Sequence, residues 1–515
     1  MPNFKEMPMS RVQVLMFPIS VDQAISESCD VRALDGAMEL LDWSAFESGY
    51  SETGCPAYPP KVLAKTLVYG YSKGIRSSRA LEDAVKNDKR YIWLAGGLEP
   101  DHCTISRFRK DKQPELKAAY VETVRICAEA GLVLLKLTAT DGSKIKSRAS
   151  KKSLYDAKRL AKEMEAIEAI LAEAEETDRQ EDELYGSGTG NEVPEELADA
   201  KKRKEKLEEI ARQLKETKRN SVSATDKECR VMKTVDGLRP GYNVQVTVDS
   251  ANQIIIAADV VENQTDSRQL MGQIEQVIEN TGMRPEMMLA DSGYSDEETF
   301  KMLSFLGQEA IIPPIQQPQE KKRNDLFASK CFLRDEEKDV LICPAGRELI
   351  FRREVNCSSG TYREYRAFEC RSCSFYGECV KVKEKTGRAI QISVVAAERQ
   401  SMLEKLRTPE GRRLYSLRQQ IVEPVFGNIK ANMGLSRFLL HGKGGAQSEA
   451  WLICMAHNLK IYAKGRLTSA QGRSVALCVA AGRALVLSIC ALGRLSRRIF
   501  RYLSLFQAGP DPAAA

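Results

Sequence analysis

Three acidic residues occupy local settings from which their carboxylates could act together. Asp141 follows an apolar run that begins at Leu132, and Asp291 follows a second apolar run that begins at Met287. A short apolar run that stops at an acid and a nearby glycine predicts a buried strand with the acid at its tip. Glu423 lies in a stretch with helical spacing. Two strand-tip carboxylates and a helical one could hold two divalent cations about 3.5–4 Å apart for in-line phosphoryl transfer.

Each acid alone has a simpler interpretation, because a strand-end aspartate is usually a turn or cap residue. Histidine chemistry has little support, since His102, His441 and His457 are the only histidines and form no spaced pair. The sequence contains no Ser-His-Asp arrangement and no phosphate-binding loop of the Walker type. Carboxylates are therefore the candidate chemical groups, and their hard oxygen ligands favour Mg²⁺ or Mn²⁺ over zinc.

The settings of the three acids together resemble the catalytic Asp-Asp-Glu blocks of bacterial insertion-sequence transposases of the IS-four-like superfamily. The similarity extends over residues 56–464, and its motifs are residues 140–145, 290–294, 421–430 and 456–460. The family has a Tyr-Arg-Glu-Lys signature around the glutamate. Tyr415, Arg418, Glu423 and Lys430 match it, with one residue more than usual between the arginine and the glutamate.

This resemblance implies an α/β, ribonuclease H-like catalytic core. It implies that Asp141, Asp291 and Glu423 bind two Mg²⁺ (or Mn²⁺) ions, and that the enzyme cleaves DNA at the element ends and transfers the strand into target DNA. The implied partners are the terminal inverted repeats, the target DNA and further copies of the chain in a homo-oligomer on DNA. The resemblance also assigns three residues to DNA contacts: Lys430, Arg418 and Tyr415.

Three alternatives stay open at this point. The chain could be a metal-dependent nuclease that cuts without joining, or a non-catalytic DNA-binding protein derived from a transposase. A zinc-dependent regulatory protein is the third. An intact set of three acids favours the transposase, because a binding protein has no use for all three.

The distribution of charge fits a polyanionic partner. Residues 401–515 contain 17 Lys and Arg against 5 Asp and Glu, whereas the whole chain has a net charge of only +6. Neutralised phosphates would supply much of the affinity and make it salt-dependent, although a solvated surface with a chance excess would look the same. The chain starts without a basic region followed by an apolar run, so we expect a cytoplasmic, nucleoid-associated protein without a membrane partner.

At 515 residues the chain is long enough for several domains, and its composition shifts predict seven segments. The charged hairpin predicted between the core segments could be an oligomer contact or an inert solvated helical pair. The segments are 1–125, a helical N-terminal domain that is a candidate for DNA binding; 126–151, the first part of the core with the first Asp; 152–222, the charged helical hairpin insertion; 223–315, core strands and the second Asp; 316–395, a Cys-rich insertion; 396–465, core helices with the catalytic Glu; and 466–515, a basic apolar tail.

A cluster of cysteines lies between the second Asp and the Glu, where the family often has a Cys-rich insertion. Cys343 precedes a C-x2-C pair, Cys370 and Cys373, and Cys379 follows, with Cys357 as a fifth candidate. Four such thiols could close a tetrahedral, structural Zn²⁺ site that supports a small insertion lacking a core. Reduced thiols in a β-rich subdomain are the alternative, and a disulfide framework is not expected in the cytosol.

Several local elements are also predicted. Residues 242–249 and 254–261 form a strand pair around a turn at Asn252, and residues 267–281 form a helix. Ser77 is predicted to cap another helix. In the tail, the apolar run 475–492 contains Arg483, which disfavours a membrane span and favours a packed amphipathic helix.

Overall fold

The computed structural model of the chain describes residues 20–48, 50, 56–185, 195–315, 327–328, 331–335, 337–357, 360–380 and 387–468. The predictions for residues 1–19 and for the tail beyond residue 468 lie outside the described residues. Within these ranges the architecture is mixed α/β, as predicted, and fits a ribonuclease H-like core. No helix of this part of the chain has the length and apolar character that crossing a membrane requires.

The first part of the described chain consists of helices. Pro60 starts α3, where its fixed φ suits a helix and its missing N–H needs no partner. Almost every residue of α3 is buried, because this helix packs against the last helix of the chain, α14. The helices are α1 (Asp30–Met38), α2 (Ser44–Glu47), α3 (Pro60–Ser72), α4 (Ser78–Asn87), α5 (Lys89–Leu94), α6 (His102–Asp111) and α7 (Gln113–Glu129), and α14 spans Gly442–Thr468. Ser77 precedes α4, but its side chain makes no capping hydrogen bond, contrary to the prediction from the sequence.

A six-stranded sheet forms the centre of the molecule. Its first strand, β1, pairs antiparallel with β5 along one edge and parallel with β7 along the other. The long β5 then pairs with β4 through its first half and with β6 through its second half, and β7 pairs with β8. The strands are β1 (Leu137–Lys146), β4 (Arg230–Thr234), β5 (Gly237–Asp249), β6 (Ile255–Val261), β7 (Met287–Leu289) and β8 (Ala310–Ile311).

Helices cover this sheet and connect its strands. The helix α10, predicted from residue 267, begins at Leu270 and ends at Thr281, with Gly282 in the left-handed conformation behind it. The helix α13 contacts β1 and β5, and one turn of π-helix, Asn428–Asn432, follows it. The helices of this part are α10 (Leu270–Thr281), α11 (Glu297–Leu306), α12 (Ala396–Arg407) and α13 (Pro409–Gly427).

Two further units extend from the sheet. The helices α8 (Ala157–Tyr185) and α9 (Glu195–Thr217) pack on each other through a small apolar cluster, next to the short strand pair β2 (Leu154–Asp156) and β3 (Ser221–Ser223). A five-stranded antiparallel sheet contains the cysteines. Its strands are β9 (Leu333–Asp335), β10 (Val340–Ile342), β11 (Glu348–Cys357), β12 (Gly360–Arg366) and β13 (Ala389–Ser393).

A buried ion pair joins the N-terminal helices to α14. Arg76 lies just before α4, and its guanidinium donates to the Glu449 carboxylate at 2.7 Å. Glu449 is 0% exposed and Arg76 is 6% exposed. Glu449 also accepts the backbone N–H groups of Leu439 and Leu440, and Arg76 donates to the Arg437 carbonyl. Both charges thus have partners, which is the condition for burying them.

We expect Glu449→Gln to lower the free energy of unfolding by about 3–5 kcal/mol, because it leaves the buried Arg76 charge uncompensated. The matched control is Glu309→Gln, which breaks a surface ion pair with Lys405 and should cost less than about 1 kcal/mol. Urea unfolding of both variants checks this. Equal losses in the two variants would refute a structural role for the buried pair.

Candidate active site

The register of the central strands brings two of the predicted acids side by side. The parallel ladder between β1 and β7 ends at the pair Ala139 and Leu289. Asp141 and Asp291 each lie two residues beyond this pair, in equivalent positions on neighbouring chains. Adjacent strands are about 4.8 Å apart, so two acids at equivalent positions are close neighbours.

The prediction that Asp141 lies at a strand tip is wrong. β1 continues past Asp141 to Lys146, because its other edge pairs with β5 as far as Lys146 and Gly241. Asp291, by contrast, does follow the end of β7 and caps a short 3₁₀ turn. The parallel register therefore makes the two acids neighbours, although Asp141 lies inside a strand and Asp291 lies beyond the end of one.

Backbone groups and a cation surround the two carboxylates. Asp141 Oδ1 accepts the N–H of Gly142 at 2.9 Å, and Asp291 Oδ1 accepts the N–H of Gly293 at 2.8 Å. Arg418 Nη1 lies 3.4 Å from Asp141 Oδ2. Burial raises the pKa of Asp141, and the nearby Asp291 charge adds to this, while Arg418 opposes it.

Two further residues of the predicted signature, Tyr415 on α13 and Lys430 in the π-helical turn after it, lie near these acids. Burial raises the pKa of Tyr415, with the charges of Asp291 and Asp141 acting in the same direction and Arg418 against it. Lys430 lies in the π-helical turn with its Nζ 5.4 Å from the centre of the Phe426 ring. Desolvation lowers the pKa of Lys430, and the Asp141 charge opposes this shift. The structure therefore gathers Tyr415, Arg418 and Lys430 around the aspartates.

Glu423 is placed differently. It lies on α13 with its side chain exposed. Within the described ranges it forms no hydrogen bond or ion pair. Its helix is packed on β1, so Glu423 belongs to the element that covers the acids.

A further acid, which we did not single out from the sequence, lies between the two aspartates. Asp266 is in the loop between β6 and α10. Its carboxylate accepts from Lys144 Nζ at 2.8 Å, from Asn243 Nδ2 at 2.7 Å and from Gln245 Nε2 at 2.7 Å. Its charge contributes to the raised pKa of Asp141.

Asp266 explains why a glycine directly follows Asp141, whereas at Gly293 it is only in ordinary contact range. A Cβ atom added at Gly142 would lie 2.2 Å from Asp266 Oδ1, and one at Gly293 would lie 3.5 Å from Asp266 Oδ2. At Gly293 the Asp291 carboxylate is closer still, at 2.9 Å. The glycine directly after Asp141 is the sequence signal that another group packs there, but it does not identify that group.

A hydrogen-bond network continues from Asp266 to the turn after Asp291. Gln245, whose amide donates to Asp266, accepts the hydroxyl of Tyr294 through its Oε1. Tyr294 is fully buried, and this burial holds the pKa of its hydroxyl well above the usual range. The network links β1, β5 and the 3₁₀ turn, and so limits how far Asp141 and Asp291 can separate.

The carboxylates fit a hard divalent cation in chemistry but do not form a ready metal site. Oxygen donors such as Asp141, Asp291 and Asp266 are the ligands that Mg²⁺ and Mn²⁺ prefer. Across the described parts of the chain, however, no three His, Cys, Asp or Glu side chains converge closely enough to hold an ion. Arg418 and Lys144 instead provide the positive charge beside Asp141 and Asp266.

The four predicted zinc ligands line one cavity of about 30 Å³. They are Cys343, Cys370, Cys373 and Cys379. The backbone N–H groups of Arg347 and Arg388 each donate to a sulfur, that of Cys343 and that of Cys370, at 3.3 Å. The four cysteines line the same cavity, but no three of them in the described chain are close enough together to hold an ion. The side chain of Cys357 is outside the described residues.

Two family models match the chain. A transposase domain (DUF772) matches residues 20–111, which comprise α1 to α6. A transposase DDE domain matches residues 342–463, a range that includes Tyr415, Arg418, Glu423 and Lys430. No curated protein matches the chain. The two matches, one in the N-terminal helices and one around α13, indicate that this chain is an insertion-sequence DDE transposase.

Proposed function

We propose that this protein cleaves DNA at the ends of its element and joins the freed 3′ hydroxyl to target DNA. The acids of the reaction are Asp141, Asp291 and Glu423. The observation that carries the proposal is the parallel register of β1 and β7, which places Asp141 and Asp291 side by side beneath Arg418. Bound to these carboxylates, Mg²⁺ or Mn²⁺ would activate a water and stabilise the charge that develops on the phosphate.

The electrostatics of Asp141 support the binding of a cation at this place. Its pKa is raised, so Arg418 does not fully offset the cost of burying its charge beside Asp291 and Asp266. A carboxylate in this condition gains free energy from any additional positive charge. The hydrogen bonds from Gly142 and Gly293 keep the two carboxylates oriented before such an ion arrives.

The cations Arg418 on α13 and Lys430 in the following π-helical turn suit the DNA. Lys430 forms no ion pair with any described residue and lies near Asp141, so its charge is available to a phosphate beside the cleaved bond. Arg418 has a planar fork of donors that matches phosphate oxygens, and Tyr415 lies next to it. Glu423 is assigned to the site by its motif on the same helix. The DNA partners in this proposal are the terminal inverted repeats and the target, bound by a homo-oligomer.

A nuclease that cuts DNA without joining it would use the same acids. The product of the reaction therefore distinguishes a transposase from a nuclease. Nicked DNA without joined product would favour the nuclease. Binding without any cleavage would favour a DNA-binding derivative of a transposase.

For the cysteine cavity we propose a structural zinc site. The shared cavity and the N–H groups donated to Cys343 and Cys370 support it, because such donors stabilise thiolates. The zinc would hold the five-stranded sheet together and take no part in the reaction on DNA.

We expect Asp141→Asn, Asp291→Asn and Glu423→Gln each to reduce metal-dependent cleavage and joining at least about a hundredfold, the size of a lost electrostatic partner of the transition state. DNA binding should persist. Asp141→Asn should leave the free energy of unfolding unchanged or raise it. The pKa of this group is raised on folding, so above that pKa its ionised form costs stability that the amide does not.

The matched control for the aspartates is Asp259→Asn. Asp259 on β6 is also largely buried with a raised pKa, but it lies outside the acid cluster. Labelled DNA that carries the element ends reports nicked and joined products with Mg²⁺ or Mn²⁺. Activity of an Asp141 or Asp291 variant equal to that of the Asp259 variant would contradict the proposal.

We expect Gly142→Ala to cost about 1–3 kcal/mol of stability and to lower activity, because its Cβ displaces Asp266 and Gln245. Gly272→Ala is the control, since nothing lies within 4 Å of its added Cβ inside α10. There alanine should be neutral or stabilising. Thermal melts together with the cleavage assay measure both effects, and a silent Gly142→Ala would show that Asp266 does not constrain the site.

We expect the purified protein to contain about one zinc per chain, bound by four thiolates. Cys343→Ser or Cys373→Ser should lower the zinc content, measured by elemental analysis, and also the stability. Cys103→Ser, at an exposed cysteine in α6, is the control and should change neither. Zinc-free, stable protein would establish the alternative of reduced thiols.

A further inference from the structure

His457 lies inside α14, in the motif of residues 456–460, and the proposed reaction does not use it. It is 6% exposed, yet both of its ring nitrogens have partners. Nε2 lies 2.9 Å from the carbonyl oxygen of Gln253, and Nδ1 lies 3.0 Å from Nδ2 of Asn428. Because a carbonyl can only accept, Nε2 carries the proton and donates it, and Nδ1 accepts from the Asn428 amide. One buried imidazole therefore connects α14 with two other segments of the chain.

The central sheet fixes the place of this imidazole. Asn458, the next residue on α14, is fully buried and makes two hydrogen bonds to the backbone of Ile255 in β6. Its Oδ1 accepts the N–H group and its Nδ2 donates to the carbonyl, both at 2.9 Å. β6 pairs with β5, which pairs with β1, the strand that contains Asp141. His457 is thus held in a fixed relation to the strands of the acids.

Gln253 connects the same imidazole to α13. It lies in the turn between β5 and β6, and its side-chain amide donates to the Gln420 carbonyl at 3.0 Å. In a regular helix that carbonyl would accept the N–H of residue 424, but Pro424 has no N–H to donate. Gln253 therefore replaces the hydrogen bond that the proline removes from α13, while its own carbonyl accepts from His457.

Asn428 begins the π-helical turn in which Lys430 lies. Its carbonyl accepts the N–H of Met433 at 3.0 Å, five residues along the chain, as in a π-helix. Its side chain donates to His457 and accepts from Asn432, also at 3.0 Å. π-Helical turns are rare, and they occur mostly as single turns at functional sites. The bond to His457 ties the first residue of this turn to α14, two residues before Lys430.

We propose that His457 is a positioning residue for Lys430: through Asn428 it holds the π-helical turn so that the ammonium group lies beside the acids. This inference rests on the proposed function, in which Lys430 contacts a phosphate next to the cleaved bond. The Lys430 side chain has no hydrogen bond or ion pair to any residue that the structure describes. The position of its charge therefore follows that of the backbone turn.

The neutral state of His457 suits this role. Burial lowers the pKa of the imidazole, the hydrogen bond to Gln253 opposes this shift, and the Lys460 charge adds to it. A neutral ring has one donor and one acceptor, as its two partners require. A protonated ring would present a second N–H to the Asn428 amide in place of the acceptor.

Two substitutions separate the two hydrogen bonds of His457. Asparagine places its amide oxygen near the position of Nδ1, so His457→Asn still accepts from Asn428 but loses the bond to Gln253. Glutamine places its amide nitrogen near the position of Nε2, so His457→Gln still donates to Gln253 but loses the bond to Asn428. Both variants lose the same buried ring, and each is therefore the matched control of the other. Circular dichroism and urea unfolding show whether both are folded.

The first measurement needs no DNA. Hydrogen exchange of the full chain, followed by mass spectrometry, reports how well the backbone N–H groups of residues 428–433 are protected. We expect faster exchange of this segment in His457→Gln than in His457→Asn and the wild type. Equal exchange in the two variants would overturn the proposal, even if the wild type proved inactive on DNA.

The second measurement is metal-dependent cleavage of labelled DNA that carries an element end. We expect His457→Gln to lower kcat by about tenfold to a hundredfold, because a misplacement of about 1 Å can cost a hundredfold. The loss in His457→Asn should be much smaller. With Lys430→Ala also present, the two His457 variants should have equal activity, because no ammonium remains to be positioned.

A His457→Gln defect that persists in full in the Lys430→Ala protein would overturn the proposal, because it would act on the fold and not on Lys430. Equal losses in the two His457 variants would do the same. The wild type is assayed in the same series. Absence of cleavage by the wild type would contradict the proposed function, whereas the exchange measurement would still decide whether His457 holds the turn.

Discussion

The pairing of β1 on both of its edges is the constraint on which the candidate site depends. Its antiparallel ladder with β5 keeps the strand extended through Asp141 to Lys146. Its parallel ladder with β7 sets the register that makes Asp141 and Asp291 neighbours. A shift of one residue in either ladder would turn Asp141 to the opposite face of the sheet, because side chains alternate along a strand. The buried apolar residues of these strands make such a shift expensive, and so protect the geometry of the acids.

The buried ion pair between Arg76 and Glu449 has an analogous function for the N-terminal helices. Glu449 accepts the N–H groups of Leu439 and Leu440, and the Leu439 carbonyl accepts from Arg148. Arg76 also accepts, through its own carbonyl, a hydrogen bond from the buried Arg109. One buried pair thus connects these helices with the chain that follows β1. Because breaking such a pair leaves a charge in the interior, the two parts resist separation.

The sequence predicted the local elements well where apolar periodicity was strong. The strand pair around Asn252 forms β5 and β6, and α10 ends at Thr281 as predicted. It failed where a long-range contact decides the outcome. Asp141 followed by glycine resembled a strand end, but Gly142 is needed because Asp266 packs against it. The gap between the two positions is about 120 residues, and no local pattern connects them.

The signature around Glu423 shows the same difference between what a local sequence pattern can predict and what long-range contacts decide. The resemblance to the family signature assigned Tyr415, Arg418 and Lys430 to DNA contacts, and all three lie within electrostatic range of the acids. It could not identify Lys144 and Asp266, which meet across a strand and a loop. Nor could it show that Glu423 is exposed, since exposure depends on what packs against the helix.

The acids proposed for the reaction and the cations proposed for binding DNA are separate groups of residues. Carboxylates repel a phosphodiester, so a site built on Asp141, Asp291 and Asp266 cannot by itself attract DNA. Asp141, Asp291 and Asp266 are partly buried, and so is Arg418, whereas Lys430 in the π-helical turn is exposed. Exposed cations act over roughly a Debye length of 8–10 Å and are weakened by salt, whereas the buried acids are screened much less. In the proposed function, salt would therefore weaken a contact between Lys430 and DNA more than it affects the partly buried acids.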